Sequence, residues 1–137
     1  MKVGFACGVF DLFHAGHVLM LQECKQHCDY LLLALNSADS FDTAINPGKR
    51  KPLYSLEERV LILSSVKYVD EVVVYTSEEE LLEILKTRKI DIRFLGDDYK
   101  GRKITGSELN IPIHYTDRSH GMSTSLIRKK AEGGELR

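Results

Sequence analysis

The chain has 137 residues, of which 43% are hydrophobic and 28% are charged, and its formal net charge at pH 7 is −1. This length suits one domain with a single buried core, and the composition is ordinary for a soluble globular protein. A nearly neutral chain has no overall positive field for nucleic acid or a membrane surface, and no apolar run is long enough to span a bilayer. Its three cysteines do not form a disulfide framework, so we expect a cytoplasmic protein.

Apolar and periodic segments alternate along the chain. Short apolar or β-branched runs predict five strands, at residues 3–7, 30–35, 71–75, 91–95 and 111–115. Helical patterns follow from residue 17, after the capping boxes at 55–58 and 77–80, and from 123 to 130. The alternation predicts an α/β fold: a doubly wound parallel five-stranded sheet with helices on both faces. Pro112 places the last strand at a sheet edge, and residues 132–137 are expected to form a flexible tail after a domain of residues 1–131.

Cys24 and Cys28 lie four residues apart in the first helical pattern, close to His27. A metal site is one interpretation of this group. Both cysteines share the apolar stripe of Met20 and Leu21, however, so we predict that they pack in the core.

The turn between the first strand and the first helix carries the most informative cluster. Residues 8–17 read Gly-Val-Phe-Asp-Leu-Phe-His-Ala-Gly-His. His14 and His17 are three residues apart, so both rings point to the same side of the turn. The amides and the dipole of a helix N-terminus attract anions there, and the carboxyl ends of parallel strands form the ligand crevice. The cluster therefore predicts a phosphate site, with helix capping as the alternative; a zinc site lacks further ligands at a suitable spacing.

Two motifs, about a hundred residues apart, carry a resemblance to a known family. His14-Ala15-Gly16-His17 resembles the HxGH motif of the nucleotidyltransferase superfamily. Residues 118–125, Arg-Ser-His-Gly-Met-Ser-Thr-Ser, resemble the second signature of its cytidylyltransferase branch. The likeness is to the small glycerol-3-phosphate cytidylyltransferases in particular and extends over nearly the whole chain. It implies a Rossmann-like homodimer that uses Mg²⁺ to join CMP from CTP to a small phosphomonoester, with release of pyrophosphate.

The resemblance also implies roles for individual residues. His14 and His17 would stabilise charge on the α-phosphate, and Lys49 and Lys51 are expected to contact phosphate, although Arg50 competes with them for this role. Asp11 either positions magnesium or fixes the turn, and Asp98 either accepts from the cytosine amine or forms an Asx turn. The expected nucleotide-binding residues are Gly8, Val9, Phe10, Asp11, Gly16, Asp98, Arg118, Gly121, Met122, Ser123 and Thr124.

The acceptor side departs from the family pattern. Arg59 matches a family arginine and is expected to bind the acceptor, with a surface ion pair to Glu57 as the alternative. Lys67 is also expected there, but it stands where the glycerol-3-phosphate enzymes carry an arginine, and the chain has no tryptophan. Glycerol 3-phosphate leads as the acceptor, and phosphoethanolamine, phosphocholine or a phospho-amino acid for cell-surface polysaccharide synthesis remain open.

Two other functions compete with the cytidylyltransferase interpretation. An adenylyltransferase is the rival within the superfamily, because HxGH serves both bases; the run from Met122 to Ser125 favours cytosine. A nucleotide-binding module without turnover is the rival from another class, and the intact pair of His14 and His17 argues against it.

Overall fold

The computed structural model describes residues 1–37 and 52–117. Five strands form one sheet in the order β3-β2-β1-β4-β5, and every neighbouring pair is parallel. The strands are β1 (Val3–Gly8), β2 (Tyr30–Asn36), β3 (Glu71–Tyr75), β4 (Ile92–Gly96) and β5 (Ile113–Thr116). The predicted sheet is thus confirmed, with β5 at an edge. Pro112, just before β5, has no amide hydrogen, and its carbonyl accepts from the amide of Arg93 at 2.8 Å.

Three α-helices connect the strands: α1 (Ala15–Gln26), α2 (Leu56–Ser64) and α3 (Glu78–Thr87). None of these described helices is both long and apolar enough to span a membrane. Helix α1 begins two residues before the predicted start, because the side chain of His14 caps it. The predicted helix at 123–130 and the domain boundary at residue 131 lie outside the described residues.

The two predicted capping boxes have different outcomes. At α2, Ser55 Oγ accepts from the amide of Glu58 at 3.1 Å, and the Glu58 carboxylate accepts from the amide of Ser55 at 2.9 Å. At α3 only the first half forms, from the amide of Glu80 to Ser77 Oγ at 3.2 Å. The Glu80 carboxylate accepts instead from the amide of Thr76, which lies just past the end of β3.

The core has two layers, one on each face of the sheet. Along β2, Leu31, Leu33 and Leu35 belong to the cluster with α1 and α2, which we call the α1 face. Leu32 and Ala34 belong to the cluster with α3, which we call the α3 face. All five are fully buried, as expected for a parallel strand that is covered on both sides. Helices therefore lie on both faces, as predicted.

The two cysteines of α1 pack in the α1-face core. Cys24 is fully buried, and Cys28 packs against the same cluster. Burial raises the pKa of the Cys24 thiol, and the neighbouring Cys28 adds to the shift. The core-packing prediction for this pair is confirmed.

Candidate active site

The HxGH turn is built around a capping box made of two imidazoles. His14 is the N-cap of α1 in an extended conformation, and its Nδ1 accepts from the amide of Gly16 at 3.0 Å. His17 is the third residue of the helix, and its Nδ1 accepts from the amide of His14 at 3.2 Å. Helix capping, the structural alternative considered for these residues, is therefore observed. It does not compete with a phosphate site, because each ring uses only one of its nitrogens as a cap.

The capping bonds also determine which ring nitrogen carries hydrogen. A nitrogen that accepts from an amide has no hydrogen of its own, so the neutral forms of His14 and His17 carry theirs on Nε2. The ring centroids are 4.0 Å apart. The His17 ring also stacks on Phe13, with centroids 5.2 Å apart and planes 14° apart, and contacts Phe10 at 5.5 Å. In their neutral forms the two adjacent rings thus each carry an Nε2–H group, a hydrogen-bond donor that can bind a phosphate oxygen.

The turn before the histidines is held in an unusual backbone conformation. Phe10 has φ 52° and Leu12 has φ 48°, both in the left-handed region that bulky residues seldom adopt. Asp11 lies between them and is 5% exposed. Its Oδ2 accepts from the amide of Leu53 at 2.8 Å and its Oδ1 from the amide of Tyr54 at 2.9 Å. The turn-fixing role of Asp11 is therefore observed, while its contact with nucleotide stays a prediction.

Arg59 is a buried link between three segments of the site. It is 2% exposed, so the alternative of a surface ion pair with Glu57 is wrong. Helix α2 packs on the α1 face of the sheet. From there the Arg59 guanidinium reaches the ends of β1 and β2. Its nitrogens donate to four backbone carbonyls, those of Val9 (3.2 Å), Asn36 (2.7 Å), Ser37 (2.9 Å) and Tyr54 (3.3 Å). Arg59 thereby positions the turn after β1, and its expected contact with the acceptor stays a prediction.

Lys67 lies far from the histidines along the strand direction. It is exposed in the connection from α2 into β3, and its Nζ lies 5.1 Å from the centroid of the Tyr68 ring. This connection enters at the amino ends of the parallel strands, whereas the HxGH turn leaves from a carboxyl end. The structure therefore does not bring Lys67 to His14 and His17 within one chain, and the expectation that it binds the acceptor receives no support from the fold.

The remaining predicted residues divide into two groups. Asp98 is exposed in a short 3₁₀ helix, Asp97–Tyr99, that directly follows β4 at the carboxyl edge of the sheet, so it lies on the same edge as the histidines. Its contact with cytosine stays a prediction. The other group lies outside the described residues: Lys49, Arg50, Lys51, Arg118, Gly121, Met122, Ser123 and Thr124.

A cavity of about 680 Å³ opens along the carboxyl edge of the sheet. Its wall includes the last residue of every strand, namely Gly8, Asn36, Tyr75, Gly96 and Thr116. The predicted residues Gly8 and Val9 thus line it. The crevice expected at the carboxyl ends of the strands is therefore present.

Sequence reasoning missed three charged residues of this cavity, Glu78, Lys103 and Arg93, of which only Arg93 on β4 is buried. Arg93 lines the cavity and is only 3% exposed. A signal existed, because an arginine interrupts the apolar run Ile92-Arg93-Phe94-Leu95. Buried arginines need polar partners, so such an interruption marks a position with a special environment.

The match to a known protein family is consistent with the HxGH turn described above. The sequence model of the family described as Cytidylyltransferase-like matches residues 5–130. The chain belongs to the cytidylyltransferase-like family. This family match agrees with the resemblance that the two motifs carry.

Several relatives match nearly all of the chain. The glycerol-3-phosphate cytidylyltransferase of Bacillus subtilis is 35% identical over 133 residues, which cover 97% of this chain and 99% of that protein. The bifunctional protein HldE of Wolinella succinogenes is 38% identical over 132 residues, and the chain spans only 27% of its length. The crystal structure of a lipopolysaccharide core biosynthesis protein from Thermoplasma volcanium superposes with a TM-score of 0.61 at 27% identity. The match covers 84% of this chain and 93% of that chain.

Proposed function

We propose that this nucleotidyltransferase transfers CMP from CTP to a small phosphomonoester, with glycerol 3-phosphate as the reference acceptor. A phosphate oxygen of the acceptor attacks the α-phosphorus in line, a new P–O bond forms, and the bond to the β-phosphate oxygen breaks to release pyrophosphate. The observation that carries this proposal is the pair of oriented Nε2–H imidazoles at the start of α1.

The histidine pair suits this reaction because two negatively charged molecules must meet at the α-phosphate. His14 and His17 would donate to its oxygens, and these bonds strengthen as charge builds up in the transition state. Their amide caps hold the rings in place before substrate arrives, so little reorganisation is needed. The N-terminal end of α1 adds a favourable dipole. Lys49 and Lys51, together with Arg118 and the run Gly121–Thr124, remain the expected contacts for the rest of the triphosphate.

Magnesium is expected to accompany CTP. Both oxygens of the nearby Asp11 carboxylate accept backbone amides, so this side chain is already engaged in holding the turn. Mg²⁺ commonly binds through substrate phosphates with few protein ligands. We therefore expect the triphosphate to supply most of the magnesium ligands here. A homodimer in the cytoplasm remains the expectation from the family resemblance.

Cytosine is the preferred base in this proposal. The preference for cytosine is supported by the family match and by the Bacillus subtilis relative. That relative has almost the same length and is named a glycerol-3-phosphate cytidylyltransferase. Asp98, at the carboxyl edge of the sheet, is the predicted acceptor for the cytosine amine. An adenylyltransferase of the same superfamily is the competing assignment.

The decisive experiment measures pyrophosphate release with CTP, ATP, GTP and UTP, each against a panel of phosphomonoesters. CTP is expected to exceed the other nucleotides by several powers of ten, because a mismatched base leaves buried polar groups unpaired. Equal turnover with ATP would contradict the cytidylyl assignment. An Asp98→Asn variant should reduce the preference for CTP, and the neighbouring Asp97→Asn variant is its matched control.

A further inference from the structure

Arg93 is a buried cation with few partners. Ile92 and Phe94 belong to the α1-face core, so Arg93 between them projects to the α3 face. One guanidinium nitrogen donates to the carbonyl of Thr105 at 2.7 Å. Among the described residues, its Nε has no hydrogen-bond partner and no carboxylate lies within ion-pair distance. A positive charge is thus enclosed by protein with one carbonyl to stabilise it.

Such an arrangement is costly unless an anion completes it. A buried guanidinium stays charged, and its burial without a partner is strongly unfavourable. Burial lowers the pKa of Arg93. The charges of Cys7 and Glu108 act in the opposite direction and offset only part of this shift. Arg59, almost equally buried, shows how the fold can satisfy an arginine internally, because its nitrogens donate to four backbone carbonyls.

The loop beside Arg93 is shaped to approach it closely. Gly106 has φ +80°, and a Cβ at this position would lie 2.8 Å from Leu85 and 3.5 Å from an Arg93 nitrogen. Only glycine fits this conformation and this spacing without strain. Thr105 Oγ1 also bonds the Glu78 carboxylate, which ties the loop to the start of α3. The guanidinium is therefore held in position at the wall of the cavity.

The cavity extends from Arg93 to Gly8 and Val9, which precede the HxGH turn, and His14 and His17 are not among its lining residues. In the sheet register Arg93 pairs with Phe5, three residues before Gly8 and about 10 Å along the strand. Helix α1, which carries the histidines, packs on the opposite face of the sheet. An anion at Arg93 is therefore a different group from the reacting phosphate.

We infer that Arg93 binds a second anionic group, a carboxylate or a phosphate, at the far end of the acceptor. The inference rests on the proposed nucleotidyl transfer and narrows its acceptor to phosphomonoesters with a further acidic group. A guanidinium suits both groups, because its fork of donors matches two oxygens at once. Glycerol 3-phosphate, with a hydroxyl at its far end, would leave Arg93 unpaired.

Two pairs of compounds test this inference, since in each pair a carboxylate replaces an uncharged group: a hydrogen in the first pair and a hydroxymethyl group in the second. They are O-phosphoserine against phosphoethanolamine, and 3-phosphoglycerate against glycerol 3-phosphate. With CTP, the wild type should favour the acidic member by about 10- to 100-fold in kcat/KM, the usual effect of a charge-assisted bond. Arg93→Met should bring this ratio close to one, and Arg93→Lys should retain part of it. Arg88→Met, at a half-buried arginine that does not line the cavity, is the matched control and should keep the wild-type ratio.

Calorimetric binding of the same four compounds without nucleotide separates this inference from the proposed function. If no nucleotide is turned over but the acidic members bind through Arg93, the transfer proposal fails and the anion site stands. If transfer occurs and the wild type uses both members of each pair equally, the anion site is overturned and transfer stands. An equal loss for both members in Arg93→Met, with a lowered Tm, also overturns it, because it assigns Arg93 a structural role.

Discussion

Arg59 on α2 and Arg93 on β4 are two nearly fully buried arginines, and they have opposite surroundings. Arg59 spreads its nitrogens over four carbonyls and joins the turn after β1 to the end of β2 and the start of α2. Arg93 has one carbonyl and lines the cavity. Burial alone therefore does not tell whether an arginine supports the fold or waits for a ligand. The number of hydrogen-bond acceptors that the protein supplies to the guanidinium is the more informative feature, with four for Arg59 and one for Arg93.

The same contrast applies to the HxGH turn, where one side chain combines both functions. His17 caps the helix through Nδ1, and in the proposed mechanism its Nε2–H donates to the α-phosphate.

Removing His17 tests the chemical function. His17→Ala should lower kcat by about a hundred- to a thousandfold, or about 2.7–4 kcal/mol, as for the loss of one preorganised donor. CTP binding should weaken much less. Turnover and thermal melting are measured on the same preparation.

Glu58→Ala is the matched control for His17→Ala. Glu58 occupies the same third position in the capping box of α2, so its loss removes an equivalent cap with no chemistry attached. Both variants should lose a similar amount of stability, about 1 kcal/mol. A folded His17→Ala enzyme with near-normal kcat would refute the mechanism.

Truncating each buried arginine sharpens the comparison between them. Arg59→Met leaves four carbonyls, one buried and three partly buried, without this donor and should lower the free energy of unfolding by about 3 kcal/mol. Arg93→Met removes a poorly compensated buried charge and should cost less than about 1 kcal/mol. Urea unfolding of both variants measures the difference. Equal losses would mean that Arg93 supports the fold as much as Arg59 does.

Asp11→Asn tests whether this carboxylate holds the turn or magnesium. The amide group replaces one acceptor oxygen by a donor, so the amide of Leu53 or of Tyr54 loses its partner. Stability should fall by about 1–3 kcal/mol. The Mg²⁺ concentration that gives half-maximal rate should stay at the wild-type value. A large rise in that concentration at unchanged Tm would instead assign Asp11 to the metal.

Removal of the half-buried Arg88 should produce the smallest change in stability. Arg88 donates to Glu71 at 2.7 and 3.0 Å and, with Tyr30, holds the pKa of Glu71 below its usual 4.5. Because the folded-state pKa is depressed, the pair stabilises the protein above pH 4.5 and loses this effect as the pH falls through the folded value. Both side chains are about one-third exposed, so Arg88→Met should cost only about 0.5 kcal/mol at pH 7. Thermal melting should show this difference at pH 7, and the difference should shrink as the pH is lowered below 4.5.

Local sequence patterns determined the order and type of the described elements. The apolar run of β2 required cover on both faces, the Ser55–Glu58 box marked the start of α2, and the stripe shared by Cys24 placed α1 against the sheet. The spacing of His14 and His17 likewise indicated the phosphate turn. These features depend on residues close in sequence, whose geometry follows from helix and strand periods.

Only the tertiary structure decided what the isolated charges do. The four acceptors of Arg59 come from three segments, and the surroundings of Arg93 combine β4, α3 and the loop at Thr105 and Gly106. Lys67 lies at the opposite edge because strand direction, not sequence distance, sets which loops meet. Long-range packing brings these groups together or keeps them apart, and an arginine or lysine looks the same in a sequence whichever outcome the fold imposes.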